Sequence, residues 1–394
     1  MNDKRAIWSM AFGQTIFWAG IYYIFPALIV RWETEFGWSK SEMTAALTMA
    51  LVTTALVSPL VGRMIDKGHG PLLMAGGGLL GGVFIGVLGF VSTLPVFYGI
   101  WVVLGASMAC CLYEPCFSFL LRHKGLEAKR PITIITLVAG LAGTVTFPVS
   151  HLISDFAGWR FALLVFVILI CFVGVPLIWI GARAIERNNN VDQEEKSETV
   201  SKNSHRYGFL LEAKFWFLAF GFMLLYMNHN AIINHFLLLL KDRQFDPDLA
   251  IIAVTFMGPM QVLGRFTMMV LERHVSSIIG VMVSFLFVAL ATVAMMGAAE
   301  IPELLFVFII LQGSGIGIMT IMKPMVSRHI LGAENYGLKS GIQSVPYMIG
   351  SAFAALIGSL VWAVGGYDLV LKVLLAAPLI GLLFFLIAVG LSKR

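Results

Sequence analysis

Two charged residues lie where charge is expensive. Glu114-Pro115 and Lys323-Pro324 each sit inside a long apolar run. In hydrocarbon an ionised side chain costs about 2.5–3.5 kcal/mol on insertion scales, so each one asks for a reason. A carboxylate there can carry a proton or attract a cation, an ammonium can hold an anion, and the two can pair. Helical spacing places Ser107, Cys111 and Ser118 on the face of Glu114, and Gln312, Ile316 and Thr320 on that of Lys323. One run is more polar than the others, holding Tyr226, Asn228, His229, Asn230, Asn234 and His235, with Tyr226, Asn230 and Asn234 on a shared face. Gln14, Trp18 and Tyr22 form another amphipathic face. The substrate-binding candidates are therefore Trp18, Tyr22, Glu114, Tyr226, Asn230, Asn234 and Lys323, with Glu114 also the candidate proton carrier. Blander readings compete with each. Lys323 can snorkel to headgroups, the asparagines and histidines can form an interhelical hydrogen-bond network, and aromatics in spans more often pack or anchor. His151 can respond to pH, although an exposed bystander is the commoner case.

The elements that must position these residues are membrane spans. Hydrophobic residues make up 59% of the 394 and charged ones 12%, about half the charge a soluble domain carries. The apolar residues come in runs of about 20, the length of a bilayer-spanning helix. β-Barrel strands, which are short and alternating, are excluded. The expected spans are Ile7–Val30, Met43–Val61, Leu72–Val91, Pro95–Leu121, Ile132–Ile153 and Phe161–Ile180, then Phe215–Leu240, Leu249–Met269, Ile278–Ala298, Leu304–Met325, Val345–Val364 and Leu369–Leu391. The fold expected is an all-α membrane protein of twelve transmembrane helices in two pseudo-symmetric six-helix bundles. Residues 1–182 form the first bundle, 183–208 a polar cytoplasmic linker too poor in apolar residues to build a core, and 209–394 the second bundle.

Charge fixes the expected orientation. Of the 27 Lys and Arg, only Arg31, Lys40, Arg160, Lys241, Arg243 and Lys372 fall on the side opposite the N-terminus, and Lys323 lies within a span. By the positive-inside rule both termini are cytoplasmic, in a plasma or bacterial inner membrane. The first apolar run is too long for a signal peptide and lacks a cleavage site, so it stays as the first span.

Several functions are disfavoured. Cys110, Cys111, Cys116 and Cys171 lie in apolar runs at spacings that match no zinc or redox motif. Neither a metal-ligand cluster nor a nucleophile–base arrangement points to an enzyme, no cofactor is expected, and no basic run interleaved with aromatics suggests nucleic acid. Gly313-Ser314-Gly315-Ile316-Gly317 sits mid-span with no preceding strand, so it is not a nucleotide loop. The spacings Gly82/Gly86, Gly313/Gly317 and Ala354/Gly358 suit close helix contact.

The two halves echo each other. Pro59-Leu60-Val61-Gly62-Arg63 matches Gln261-Val262-Leu263-Gly264-Arg265, and Glu114-Pro115 matches Lys323-Pro324. Paired breaks of this kind point to a transporter site between repeats. The segment Gly62-Arg63-Met64-Ile65-Asp66-Lys67-Gly68-His69-Gly70 resembles the loop signature of the major facilitator superfamily, with its final glycine displaced by one residue. Gly158-Trp159-Arg160 is similar to the family as well. The resemblance implies alternating access around a cavity lined by spans 1, 4, 7 and 10, with Gly62, Arg63, Asp66, Lys67, Gly264 and Arg265 acting in gating. Trp101 stands where proton-driven drug antiporters carry an arginine, four residues before Gly105. Lys129-Arg130 leading into Ala139-Gly140-Leu141-Ala142-Gly143 is similar to the fifth-span entry of monocarboxylate-porter relatives.

The expected function is secondary active transport of a small organic solute, an organic anion or metabolite first, coupled to protons, with a monomer as the functional unit and lipid and substrate as its partners. A proton-coupled exporter of amphipathic or cationic compounds is the alternative. A non-transporting membrane sensor or scaffold is the reading from another class.

Overall fold

In a computed structural model that describes residues 1–194, 207–271 and 274–393, ten helical runs are long and apolar enough to cross a membrane. Two of them carry two expected spans each. Leu94–Ala157 covers the fourth and fifth, and Tyr336–Ser392 the eleventh and twelfth. A straight helix of 57 residues would be about 85 Å long, against a hydrocarbon core of about 30 Å. The latter run is broken at Gly365 (φ −152°, ψ 24°) and Gly366 (φ 64°, ψ −168°), the second of which takes a conformation only glycine adopts without strain. Many outward apolar side chains are exposed, among them Leu56, Leu152 and Phe172, as expected of helices whose outer faces meet lipid rather than water. The chain is an integral membrane protein.

It packs as two compact units, residues 1–205 with 334–342, and residues 206–333 with 343–394. The helix Tyr336–Ser392 thus begins in the first unit and continues in the second. The sixth span also runs further than its hydropathy suggests, because the helix Val175–Glu194 enters the expected linker. Asn188 explains part of this extension, donating to the carbonyl of Met1 and to Asp3 at 2.8 Å. Residues 195–206 of that linker, with Lys196, Lys202 and Arg206, lie outside the described residues, as do Arg273 and Arg394.

Within each unit the same helix pairs meet, and small residues mark the contacts. In the first, Gly105 lies against the backbone of Ala50, Gly77 against Ser107 and Cys110, and Gly13 against Gly174 and Ile178. In the second, Gly317 lies against the backbone of Gln261, Gly315 against Ser284 and Phe287, and Gly221 against Gly381. These are spans 2–4, 3–4 and 1–6, then 8–10, 9–10 and 7–12, so the sequence echo between halves is an echo of packing. Close backbone approach replaces the hydrophobic driving force that lipid removes.

Gly317→Ala is accordingly expected to destabilise the purified protein by about 1–3 kcal/mol through overpacking, and so to lower its thermal midpoint, since its Cβ would meet the Gln261 carbonyl rather than a movable side chain. Gly258→Ala is the control, because nothing lies within 4 Å of a Cβ there. Equal midpoints for the two variants in detergent would refute the packing role.

Candidate functional site

Pro115 shapes the first charged position. It has no N–H to give to the carbonyl of Cys111, four residues back, and the helix breaks at Leu112 (φ −82°, ψ −155°) between Leu94–Cys111 and Tyr113–Lys124. Gln14 Nε2 donates to the orphaned Cys111 carbonyl at 2.7 Å. Glu114 therefore stands in the first turn of a new helix, where the helix dipole favours a carboxylate. It is half-buried, and Ser340 Oγ donates to its Oε2 at 3.4 Å. The break also divides the face expected to run from Ser107 to Ser118. Ser107 is fully buried and donates to the Gly77 carbonyl at 2.8 Å, so it serves packing at the far side of the break.

The first span departs from α-helix in the same neighbourhood. Trp18–Tyr23 is π-helical, a local underwinding common at functional positions. It separates Gln14, which is fully buried, from Trp18 and Tyr22, which are half-buried. Trp18 lies 4.6 Å from the Tyr113 ring and 5.2 Å from Tyr22, with Tyr23 completing the cluster.

The second charged position is built differently. Pro324 lies inside the unbroken helix Leu304–Leu331, and Lys323 is 5% exposed, so it does not snorkel. Its ammonium lies 3.8 Å from the centroid of Tyr347 and 5.9 Å from that of Tyr226, within cation–π range of both. The two rings are 5.0 Å apart. One turn along, Asn230 Nδ2 donates to Ser351 Oγ at 3.1 Å and to the Tyr226 carbonyl at 2.9 Å. Asn234 is exposed and donates to the Asn230 carbonyl.

Asn228 and His235 of the polar cluster on that helix are held in packing contacts. Asn228 is fully buried and donates to the Leu374 carbonyl at 2.6 Å, while Gln312 Nε2 donates to Asn228 Oδ1 at 3.2 Å. His235 Nε2 meets the Ala355 carbonyl at 2.9 Å, and its ring fills the space that Gly358 leaves open. Gln312 is thus absorbed into the network of Asn228, away from Lys323.

At the loop signature the displaced glycine finds a reason. Gly68 takes φ +90°, its N–H reaching the Ile65 carbonyl and that of His69 the Met64 carbonyl, a Schellman stop to the helix Lys40–Asp66. Gly70 instead makes room for the Phe119 ring. Asp66 accepts from the backbone N–H groups of Gly337 at 2.8 Å and Leu338 at 2.7 Å, while Arg122 donates to the carbonyls of Ile65 and Asp66. Gly62 lies directly against the Gly337 carbonyl, and Gly264 against the backbone of Ser314. Arg63 is half-buried and Lys67 exposed, whereas Arg265 is buried with Gln261 beside it at 3.4 Å.

Sequence reasoning did not single out Ser340, Tyr347 or Ser351, which lie in stretches with no motif. Glu35 was also missed, although Trp159-Arg160 was quoted. Arg160 pairs with Glu35 at 2.6 Å and donates to the Gly89 carbonyl, and the Trp159 indole N–H donates to Glu35 too. Trp101 is fully buried, edge-on to Phe25 at 4.8 Å, and so fills with packing the position where a drug antiporter carries a charge. His151 lies 3.1 Å from Arg31 and 3.2 Å from Asp155 at the surface.

Each helical unit carries one charge-proline pair within a span, a correspondence between halves that is typical of transporter folds. The model of the Major Facilitator Superfamily matches residues 10–280, and the chain belongs to that family. A curated relative, "Probable hexose phosphate transport protein" of Chlamydia muridarum (strain MoPn / Nigg), is 23% identical over 255 residues, 58% of this chain and 55% of the relative. The chain therefore spans about half the length of that relative. Among solved structures, a bacterial homologue of the iron transporter ferroportin, outward-facing with soaked iron, superposes with TM-score 0.76 at 14% identity over 100% of both chains. The transporter FucP in its outward conformation superposes at 0.66 and 12%, over 96% and 97%. At these identities the structures share the fold.

Proposed function

We propose that this chain moves a small organic anion across the membrane by alternating access, with Lys323 as the anion-binding charge and Glu114 as the proton carrier. The observation that carries the reading is the buried ammonium of Lys323, held against two half-buried tyrosines rather than released to a headgroup. Retaining a cation in a span costs several kcal/mol, a cost that an anionic ligand offsets each time it binds. The printed name of the curated relative, a probable hexose phosphate transport protein, favours a phosphorylated or carboxylated metabolite. Asn230 and Asn234 are further substrate contacts on the Tyr226 face of their helix in the second unit, and Trp18 and Tyr22 are substrate contacts in the first unit. The protein works as a monomer in a plasma or bacterial inner membrane, with both termini cytoplasmic. Coupling requires only that proton and substrate favour different states.

Proteoliposomes with an imposed pH gradient test the proton role. Glu114→Gln keeps the shape and removes the titration, so the stimulation of organic-anion flux by the gradient should vanish while exchange without a gradient persists. A variant that responds to the gradient as the wild type does would remove Glu114 from the mechanism. A second reading, export of amphipathic cations, is favoured by the cluster of the Trp18, Tyr22 and Tyr113 rings, the last of them next to Glu114 in the chain. Competition by lipophilic cations, but not by anions, would select it.

A further inference from the structure

The second unit carries a polar pair to which the anion reading assigns no particular ligand group. Tyr226 and Asn230 lie one turn apart on the helix Ala213–Asp242, and Tyr347 and Ser351 lie one turn apart on the helix Tyr336–Ser392. The two helices meet at both levels, ring against ring at 5.0 Å and Asn230 Nδ2 to Ser351 Oγ at 3.1 Å. Lys323 stands at the aromatic level, so four residues of rise, about 6 Å, separate the charge level from the amide–hydroxyl level. Asn230 spends both amide protons, on the Tyr226 carbonyl and on Ser351. What the pair still offers is the Asn230 Oδ1 lone pairs and the Ser351 hydroxyl proton. Both residues are half-buried, where an unmet donor or acceptor is expensive.

We infer that Asn230 and Ser351 form the subsite for a ligand hydroxyl, and that the substrate is a polyhydroxylated organic anion rather than an alkyl one. A hydroxyl gives its proton to Asn230 Oδ1 and accepts the proton of Ser351 in one contact, whereas a methylene leaves both groups unpaired. Tyr347 is then a positioning residue, holding the Lys323 ammonium one turn from that subsite. The inference rests on the organic-anion reading of Lys323.

The test measures binding to the purified full-length protein in nanodiscs with four probes: glucose 6-phosphate against hexyl phosphate, and gluconate against hexanoate. The hydroxylated member of at least one pair should bind roughly tenfold or more tighter than its alkyl partner, since a site built for hydroxyls discriminates strongly against their absence. Ser351→Ala should bring that ratio close to one while leaving the alkyl probe unchanged, which also shows that the variant is folded. Asn230→Ala should act in the same direction. A wild type that prefers neither member, or a preference that survives Ser351→Ala and Asn230→Ala, overturns the subsite. Binding of an alkyl probe that is lost in Lys323→Met would keep the anion reading even then. Failure of all four probes to bind overturns both.

Discussion

Lys323→Met is expected to abolish uptake of organic anions into proteoliposomes while leaving the protein folded and at least as stable as the wild type. Methionine keeps the length and flexibility of the side chain and removes only the charge. The wild-type ammonium is 5% exposed and lies 3.8 Å from the Tyr347 ring. Losing that cation–π contact costs about 0.5–2 kcal/mol. Removing the charge also removes the cost of holding it in the span, about 2.5–3.5 kcal/mol on insertion scales. The thermal midpoint in detergent should therefore hold or rise. Binding should move the other way, since truncating one partner of a desolvated charge pair costs about 2–5 kcal/mol, at least roughly thirtyfold in affinity. A stability gain with a transport loss is the signature of a charge kept for function. Should the midpoint fall and flux stay within twofold of the wild type, Lys323 would be a structural residue and the proposed site would be lost.

What the sequence made legible follows from which forces act locally. Hydropathy marks the spans because lipid imposes it on every outward face, so Leu56 and Phe172 announce a membrane as plainly as any motif. The glycines that join helices could be read as packing residues, since spacing alone places Gly313 and Gly317 on one side of a helix. The paired prolines, by contrast, read alike but act differently. Pro115 breaks its helix because Gln14, nearly a hundred residues away in sequence, satisfies the carbonyl it orphans. The helix around Pro324 stays whole. No periodicity within the fourth span discloses a donor on the first. The π-helical turn at Trp18–Tyr23 is equally silent, and it is what parts Gln14 from Trp18 although they share a face at ideal spacing. Tyr347 and Ser351 were invisible for a third reason. They are ordinary residues in an apolar run, and only the contacts with Lys323 and Asn230 give them meaning.

Asp66→Ala is expected to release the start of the helix Tyr336–Ser392. That helix begins with backbone N–H groups that have no partner one turn earlier, and two of them, from Gly337 and Leu338, are held by the Asp66 carboxylate at 2.8 and 2.7 Å. The carboxylate also meets the positive end of the helix dipole. Hydrogen bonds to a charged group contribute about 1.5–3 kcal/mol each, and a half-buried donor left unmet costs more than one exchanged for water. The neighbouring contact leaves no slack for rearrangement, because Gly62 already lies against the Gly337 carbonyl and Arg122 fixes the carbonyls of Ile65 and Asp66. Amide exchange read by mass spectrometry on the peptide covering residues 334–342 should accelerate by at least roughly tenfold in Asp66→Ala, the equivalent of about 1.4 kcal/mol. Asp66→Asn should fall between the variant and the wild type, since its amide oxygen still accepts one bond without the charge. Because the chain passes from the first unit into the second within this helix, the same variants should also slow transport. If exchange at residues 334–342 is unchanged in Asp66→Ala, the carboxylate is not what holds the helix start, and the gating role implied by the loop signature would have to rest on Arg63 and Lys67 instead.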